Sequence, residues 1–178
     1  MGASVSDFDA PLPRLLYWDA SFLVHATYPA GRYHRACYAF LERLSTASDT
    51  LSCVSTLALD EAIFALLRLK VEEEHPNAGF WDLYRQDPTV IRPHLGELRA
   101  LVDRLTADPR IQLLGMDPDA LPAALDYMDS LAFLPRDALH LTTMGRCGAD
   151  AIVTTDGDFL AVDGLRIFTC NPRLLSQR

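Results

Sequence analysis

Lysine is all but missing from this chain. Lys70 is the only one among 16 basic residues, which face 24 acids for a formal net charge of -8. That balance excludes a protein that holds nucleic acid by bulk positive charge, because phosphate affinity comes from neutralising Lys and Arg, so any such contact must be local. The arginines left by default suit bidentate phosphate or carboxylate contacts, although a genomic composition bias would produce them equally well. No apolar run is long enough to span a bilayer, and Met1 to Pro13 is small, acidic and proline-containing, unlike a signal peptide. A cytoplasmic protein without membrane contact is the expectation. Cys37, Cys53, Cys147 and Cys170 form no CxxC and no Cys/His pairing, which argues against a zinc site or a disulfide framework and for reduced thiols. Also missing are internal repeats, low-complexity segments and a glycine-rich phosphate loop.

What is present suits one domain, since 178 residues can bury a good core and the glycine, proline and charged fractions are globular. Residues 1–14 read as a flexible start, 15–172 as the domain and 173–178 as a frayed tail. Leu15 to Trp18 is a first strand running into a helix, and Arg32 to Leu44 is an amphipathic helix. Thr50 to Val54 is a second strand, followed by a helix from Leu57 to about Val71. The acidic run Glu72-Glu73-Glu74 reads as a solvated helix end. Residues 71–110 form an extended, mostly helical region without visible chemistry, in which His75 and His94 have no sequence-local ligand partners. A third strand from Ile111 to Met116 precedes a helix over Pro118 to Leu131. The alternation of strands and helices predicts an α/β three-layer sandwich around a mostly parallel sheet.

The richest stretch is Leu134 to Phe159. Pro135 opens a helix, Gly148 stops it, and Ala151 to Thr155 is a short apolar run suited to a buried parallel strand. Asp137 then lies in the helix's first turn and Asp156 just past the strand's carboxyl end, where open parallel sheets place their sites. Asp19 occupies the same position after the first strand, with Ser21 beside it. Taken singly, each is an ordinary cap or turn residue. Taken together they can face one crevice, where repelling carboxylates call for a cation. A fourth acid comes from the helix after the second strand, where spacing does not separate Asp60 from Glu61. Arg32, His34, Arg35 and Arg43 form the best local basic cluster, which reads as a solvated helix face.

The motifs W-D-A-S (18–21), S-T-L-A-L-D-E (55–61), R-D-A-L-H-L (136–141) and V-T-T-D-G-D-F (153–159) together resemble those of the PIN-domain ribonucleases, and among them the bacterial VapC-like toxins. The resemblance runs from Leu15 to about Pro172. It implies a three-layer PIN-like fold and a divalent-metal-dependent endoribonuclease in which Asp19, Glu61, Asp137 and Asp156 bind Mg2+ or Mn2+. Ser21 and Thr154 match supporting hydroxyls, and Asp158 an extra acid. Arg136 stands where it could reach a phosphate, and His140 reads as a helix-packing histidine. RNA, a VapB-like antitoxin and a second copy of the chain are the partners implied. The stretch 71–110 is longer than in compact relatives. Two other classes remain: a non-catalytic PIN-fold binding protein, and an aspartate-dependent phosphatase, which would want an acid where Ser21 stands.

Overall fold

Six short strands, β1 (Ser4–Ser6), β2 (Leu15–Trp18), β3 (Leu51–Ser55), β4 (Ile111–Leu114), β5 (Ala151–Val153) and β6 (Arg166–Phe168), form one sheet in the computed structural model, which describes residues 2–177. Every pairing is parallel and the spatial order is β1-β6-β5-β2-β3-β4. The chain therefore leaves β2 in one direction through β3 and β4, then returns to the other side through β5 and β6. The reversal lies between β2 and β5, and a crevice at the strands' carboxyl ends opens at such a point.

Helices cover both faces: α1 (Ala20–Thr27), α2 (His34–Thr46), α3 (Thr56–Glu74), α4 (Phe80–Gln86), α5 (Leu95–Ala107), α6 (Ala120–Leu131), α7 (Pro135–Cys147) and α8 (Pro172–Leu175). The period-two alternation of β2 sorts its side chains between two cores. Leu16 and Trp18 pack with α1, α2, α3 and α5, whereas Tyr17 joins Ile152, Ile167, Ala138, Leu141 and Met144 on the face covered by α6 and α7. Burying each large side chain contributes about 1.5–3 kcal/mol, so these two layers supply most of the drive to fold. Helix α7 begins at Pro135, whose missing N–H is harmless there, and ends at Gly148, whose φ of 77° is the left-handed value glycine adopts without strain.

Three expectations need correction. The start of the chain is not loose: β1 adds an edge strand to β6, and Phe8 stacks on Phe40 with centroids 4.1 Å apart. A three-residue strand is too short to show an alternation in sequence. The tail is held too, because Leu174 of α8 is buried and Asn171 donates from Nδ2 to the Thr155 carbonyl at 2.8 Å; Arg178 lies outside the described residues. Nor is the acidic run merely solvated. Glu72 accepts from the Phe80 N–H, Glu73 from the Tyr28 hydroxyl, and Glu74 lies 3.5 Å from His94, so the run ties α3 to its surroundings. The region 71–110 consists of the end of α3, α4, a 3-10 segment (Pro88–His94) and α5. In the basic cluster, Arg43 donates to the Phe8 carbonyl and Arg32 lies over the Tyr33 ring.

Candidate active site

The carboxyl ends of β2 and β5 deliver two acids side by side. Asp19 follows β2 directly, and its backbone N–H donates to the Val153 carbonyl of β5 at 3.1 Å, which pins it to the point where the strand order reverses. It caps α1 and is only 7% exposed. Buried carboxylates need donors, and Asp19 has three on one oxygen: Oδ2 accepts from the Ser21 N–H (3.2 Å), the Ser21 hydroxyl (2.6 Å) and the Thr154 hydroxyl (2.7 Å). The two hydroxyls are themselves fixed, because Ser21 Oγ accepts from the Thr155 N–H at 3.0 Å and Thr154 Oγ1 from the Asp156 N–H at 2.9 Å. One network thus sets the loop after β5 and the orientation of Asp19 together. Asp19 Oδ1 has no hydrogen bond among the described residues.

Asp19, Glu61, Asp137 and Asp156 all line one open crevice of about 360 Å³, whose wall also includes Ser21, His25, His140 and Phe159. Glu61 comes from α3 and turns into the crevice, while its neighbour Asp60 is exposed, which separates the two acids that spacing left equivalent. Asp137 lies in the first turn of α7. Burial, then the like charges of Asp158, Asp156 and Asp19, hold its carboxyl above the ordinary range, with His140 opposing them. Asp158 is raised by the same causes, burial first, then Asp156 and Asp19. Asp158 is exposed and not part of the crevice wall; its N–H donates to Asp156 Oδ1 at 3.2 Å.

Ligand atoms of Asp19, Glu61 and His140 lie within 4.8 Å of one another, close enough to share a cation, whereas Asp137 and Asp156 line the same crevice outside that group. An oxygen-rich set of this kind suits a hard divalent ion, and the raised Asp137 carboxyl is what burial, reinforced by like charge, produces. Arg136 places Nη1 3.3 Å from Glu61 Oε1 while remaining 65% exposed. The packing histidine of the sequence reading is both buried and part of the site: His140 is 2% exposed, with Nε2 2.9 Å from Glu61 Oε2 and Nδ1 2.7 Å from the Tyr17 hydroxyl. Tyr17 carried no signal in the sequence, since its partners Ser55 and His140 lie 38 and 123 positions away in the chain. The thiols stay free, but Cys53 and Cys147 bring their sulfurs to 3.3 Å and Cys37 and Cys170 to 3.7 Å.

The sequence model of the PIN domain family matches residues 16–165. No curated protein matches the chain. Among solved structures, the chain is similar to VapC20 of Mycobacterium tuberculosis, described as a Sarcin-Ricin loop cleaving toxin, at 16% identity and a TM-score of 0.56, covering 81% of this chain and 92% of that one. It is also similar to VapBC2 of Rickettsia felis, solved with a DNA fragment from the promoter, at 13% identity and a TM-score of 0.53, covering 87% and 98%. At these identities the likeness is one of fold. Among the described residues no helix is long and apolar enough to cross a membrane.

Proposed function

The chain belongs to the PIN-domain family, and from that premise we propose that it is a divalent-metal-dependent endoribonuclease, the toxin of a VapBC-like toxin–antitoxin pair. The observation that carries this reading is the convergence of Asp19, Glu61, Asp137 and Asp156, from four separate elements, on one crevice at the point where the strand order reverses. Asp19, Asp137 and Asp156 could each cap a helix or a turn alone. Mutually repelling carboxylates gathered this way oppose folding unless a cation joins them.

Asp19, Glu61, Asp137 and Asp156 would hold Mg2+ or Mn2+, with Ser21 and Thr154 orienting Asp19. When bound, such an ion lowers the pKa of a water ligand and stabilises the charge of the leaving oxygen. The protein's own part is to present oxygens in a fixed array and to admit a phosphodiester through an open mouth. Arg136, exposed beside Glu61, is the cation placed to meet a phosphate. Asp158 adds negative charge beside the crevice, where it acts on Asp137. Products with 5′-phosphate and 3′-hydroxyl ends are expected. In the cytoplasm the partners would be RNA, a second copy of the chain, and an antitoxin whose basic side chain enters the acidic crevice.

The phosphatase alternative loses support from the same geometry. Ser21 stands where the second acid would be needed, with its hydroxyl held by Asp19, and Lys70 pairs with Glu97. A non-catalytic binding role has no observation in its favour. The deciding experiment is cleavage of structured and single-stranded RNA with Mg2+ or Mn2+, by wild type and Asp19→Asn. The amide oxygen of the variant can still accept the three hydrogen bonds, so a folded protein without cleavage is expected. Equal cleavage by both proteins would sink the assignment.

A further inference from the structure

A buried chain of hydrogen bonds runs behind Glu61, and its direction can be worked out from donor counting. Ser55, the N-cap of α3, accepts the Ala58 N–H on Oγ at 3.0 Å. Its own hydroxyl hydrogen then has one acceptor among the described residues, the Tyr17 oxygen at 2.6 Å. With that oxygen accepting from Ser55, the Tyr17 hydrogen points to His140 Nδ1 at 2.7 Å. A neutral imidazole that accepts at Nδ1 carries its proton on Nε2, which donates to Glu61 Oε2 at 2.9 Å. The opposite order leaves the Ser55 hydrogen unpaired in a fully buried site and aims an imidazole lone pair at a carboxylate.

We propose that Tyr17 and Ser55 lock His140 as the Nε2–H tautomer, making it a positioning residue that holds Glu61 by one oxygen and not a ligand of the metal. Proximity alone would suggest the reverse, because His140 lies with Asp19 and Glu61 in the one group spaced to share a cation among the described residues. A protonated Nε2 has no lone pair to give. Oxygen ligands also suit Mg2+ and Mn2+ better than imidazole does. The metal half of this proposal rests on the nuclease reading; the tautomer does not.

The test is a long-range 1H–15N NMR spectrum of the metal-free protein labelled at histidine, with His140 assigned by its loss in His140→Gln. A pyrrole-like Nε2 and a pyridine-like Nδ1 are expected, with the Nε2 proton in slow exchange with water and retained when Mg2+ is added. Tyr17→Phe keeps the ring but removes the donor to Nδ1, so the Nδ1 signal of His140 should leave its wild-type position while Glu61 still accepts from Nε2. Its Mn2+ affinity should fall about 10-fold or more, the loss typical of a ligand's supporting partner. A circular-dichroism melt confirms that this variant folds. A pyrrole-like Nδ1 in wild type overturns the relay. Loss of the Nε2 proton on Mg2+ addition overturns the positioning role and makes His140 a ligand. A protein with the expected tautomer that binds no divalent ion and cuts no RNA keeps the relay and sinks the nuclease reading instead, so the two failures are distinct.

Discussion

Replacing Asp137 by asparagine should push stability in opposite directions with and without metal. Metal-free, the Asp137 carboxyl sits above its ordinary range because of burial and of Asp158, Asp156 and Asp19. A carboxyl raised on folding makes the charged form less favourable in the folded state, so the penalty is absent below the unfolded pKa and grows as pH rises through the folded one. An amide at this position mimics the neutral form, and the variant's melting temperature should exceed the wild type's near pH 7, with the gap closing in acid. The competing effect is loss of a negative charge at the start of α7, worth about 0.3–1 kcal/mol. For a chain of this size 1 kcal/mol moves the melting temperature by about 2–4 °C, so a carboxylate that merely served the helix dipole would give a fall of about 1–4 °C instead. Mn2+ at about a hundred times its dissociation constant should stabilise wild type by about 2.7 kcal/mol, a rise of about 5–11 °C, and this increment should shrink in the variant. Differential scanning fluorimetry across pH, with and without Mn2+, reads both. A lower metal-free melting temperature for Asp137→Asn, or an undiminished Mn2+ increment, would refute the shared-cation reasoning.

Ser21→Ala and Thr154→Val each remove one donor to Asp19 and the acceptor of one backbone N–H. Each should cost about 1–3 kcal/mol in denaturant melts, and RNA cleavage should fall about 10–100-fold. Arg136→Ala should tighten Mn2+ binding in calorimetry, because a cation beside Glu61 is gone, yet raise KM for RNA; weaker metal binding would show that Arg136 supports the ligand array instead. Diamide should convert Cys53 and Cys147 to a disulfide first, since their sulfurs are nearest and the Cys53 hydrogen bond lowers Cys147 to about 7, so part of it is thiolate at neutral pH. Intact mass should fall by two hydrogens per pair, and four free thiols after treatment would refute this.

The parts of the site legible in the sequence are those fixed by local rules. Asp19, Asp137 and Asp156 stand at strand ends or in a first helical turn, where pattern and punctuation locate them, and the parallel α/β order places such positions at one edge. Glu61 is half legible, because adjacent residues on a helix differ only in which way they face, and that depends on how α3 lies across the sheet. The relay is not legible at all. Tyr17 meets Ser55 across 38 positions and His140 across 123, so only the packed fold joins them. The N-terminal strand escapes for a related reason: Ser-Val-Ser is ordered by β6, not by its own pattern.

A division of labour between the oxygens of three of the four acids connects these features. Protein donors saturate Asp19 Oδ2 and leave Oδ1 without a hydrogen bond among the described residues. Glu61 gives Oε2 to His140 and Oε1 to an exposed, movable arginine. Asp156 accepts one backbone N–H on Oδ1. In each case the buried or backbone partner fixes the carboxylate plane, while the other oxygen is unbonded among the described residues or bonded to a group that can leave. Holding by both oxygens would remove the capacity to ligate. The hydroxyls of Ser21 and Thr154 hold Asp19, and the imidazole of His140 holds Glu61, in the orientation that the proposed array requires.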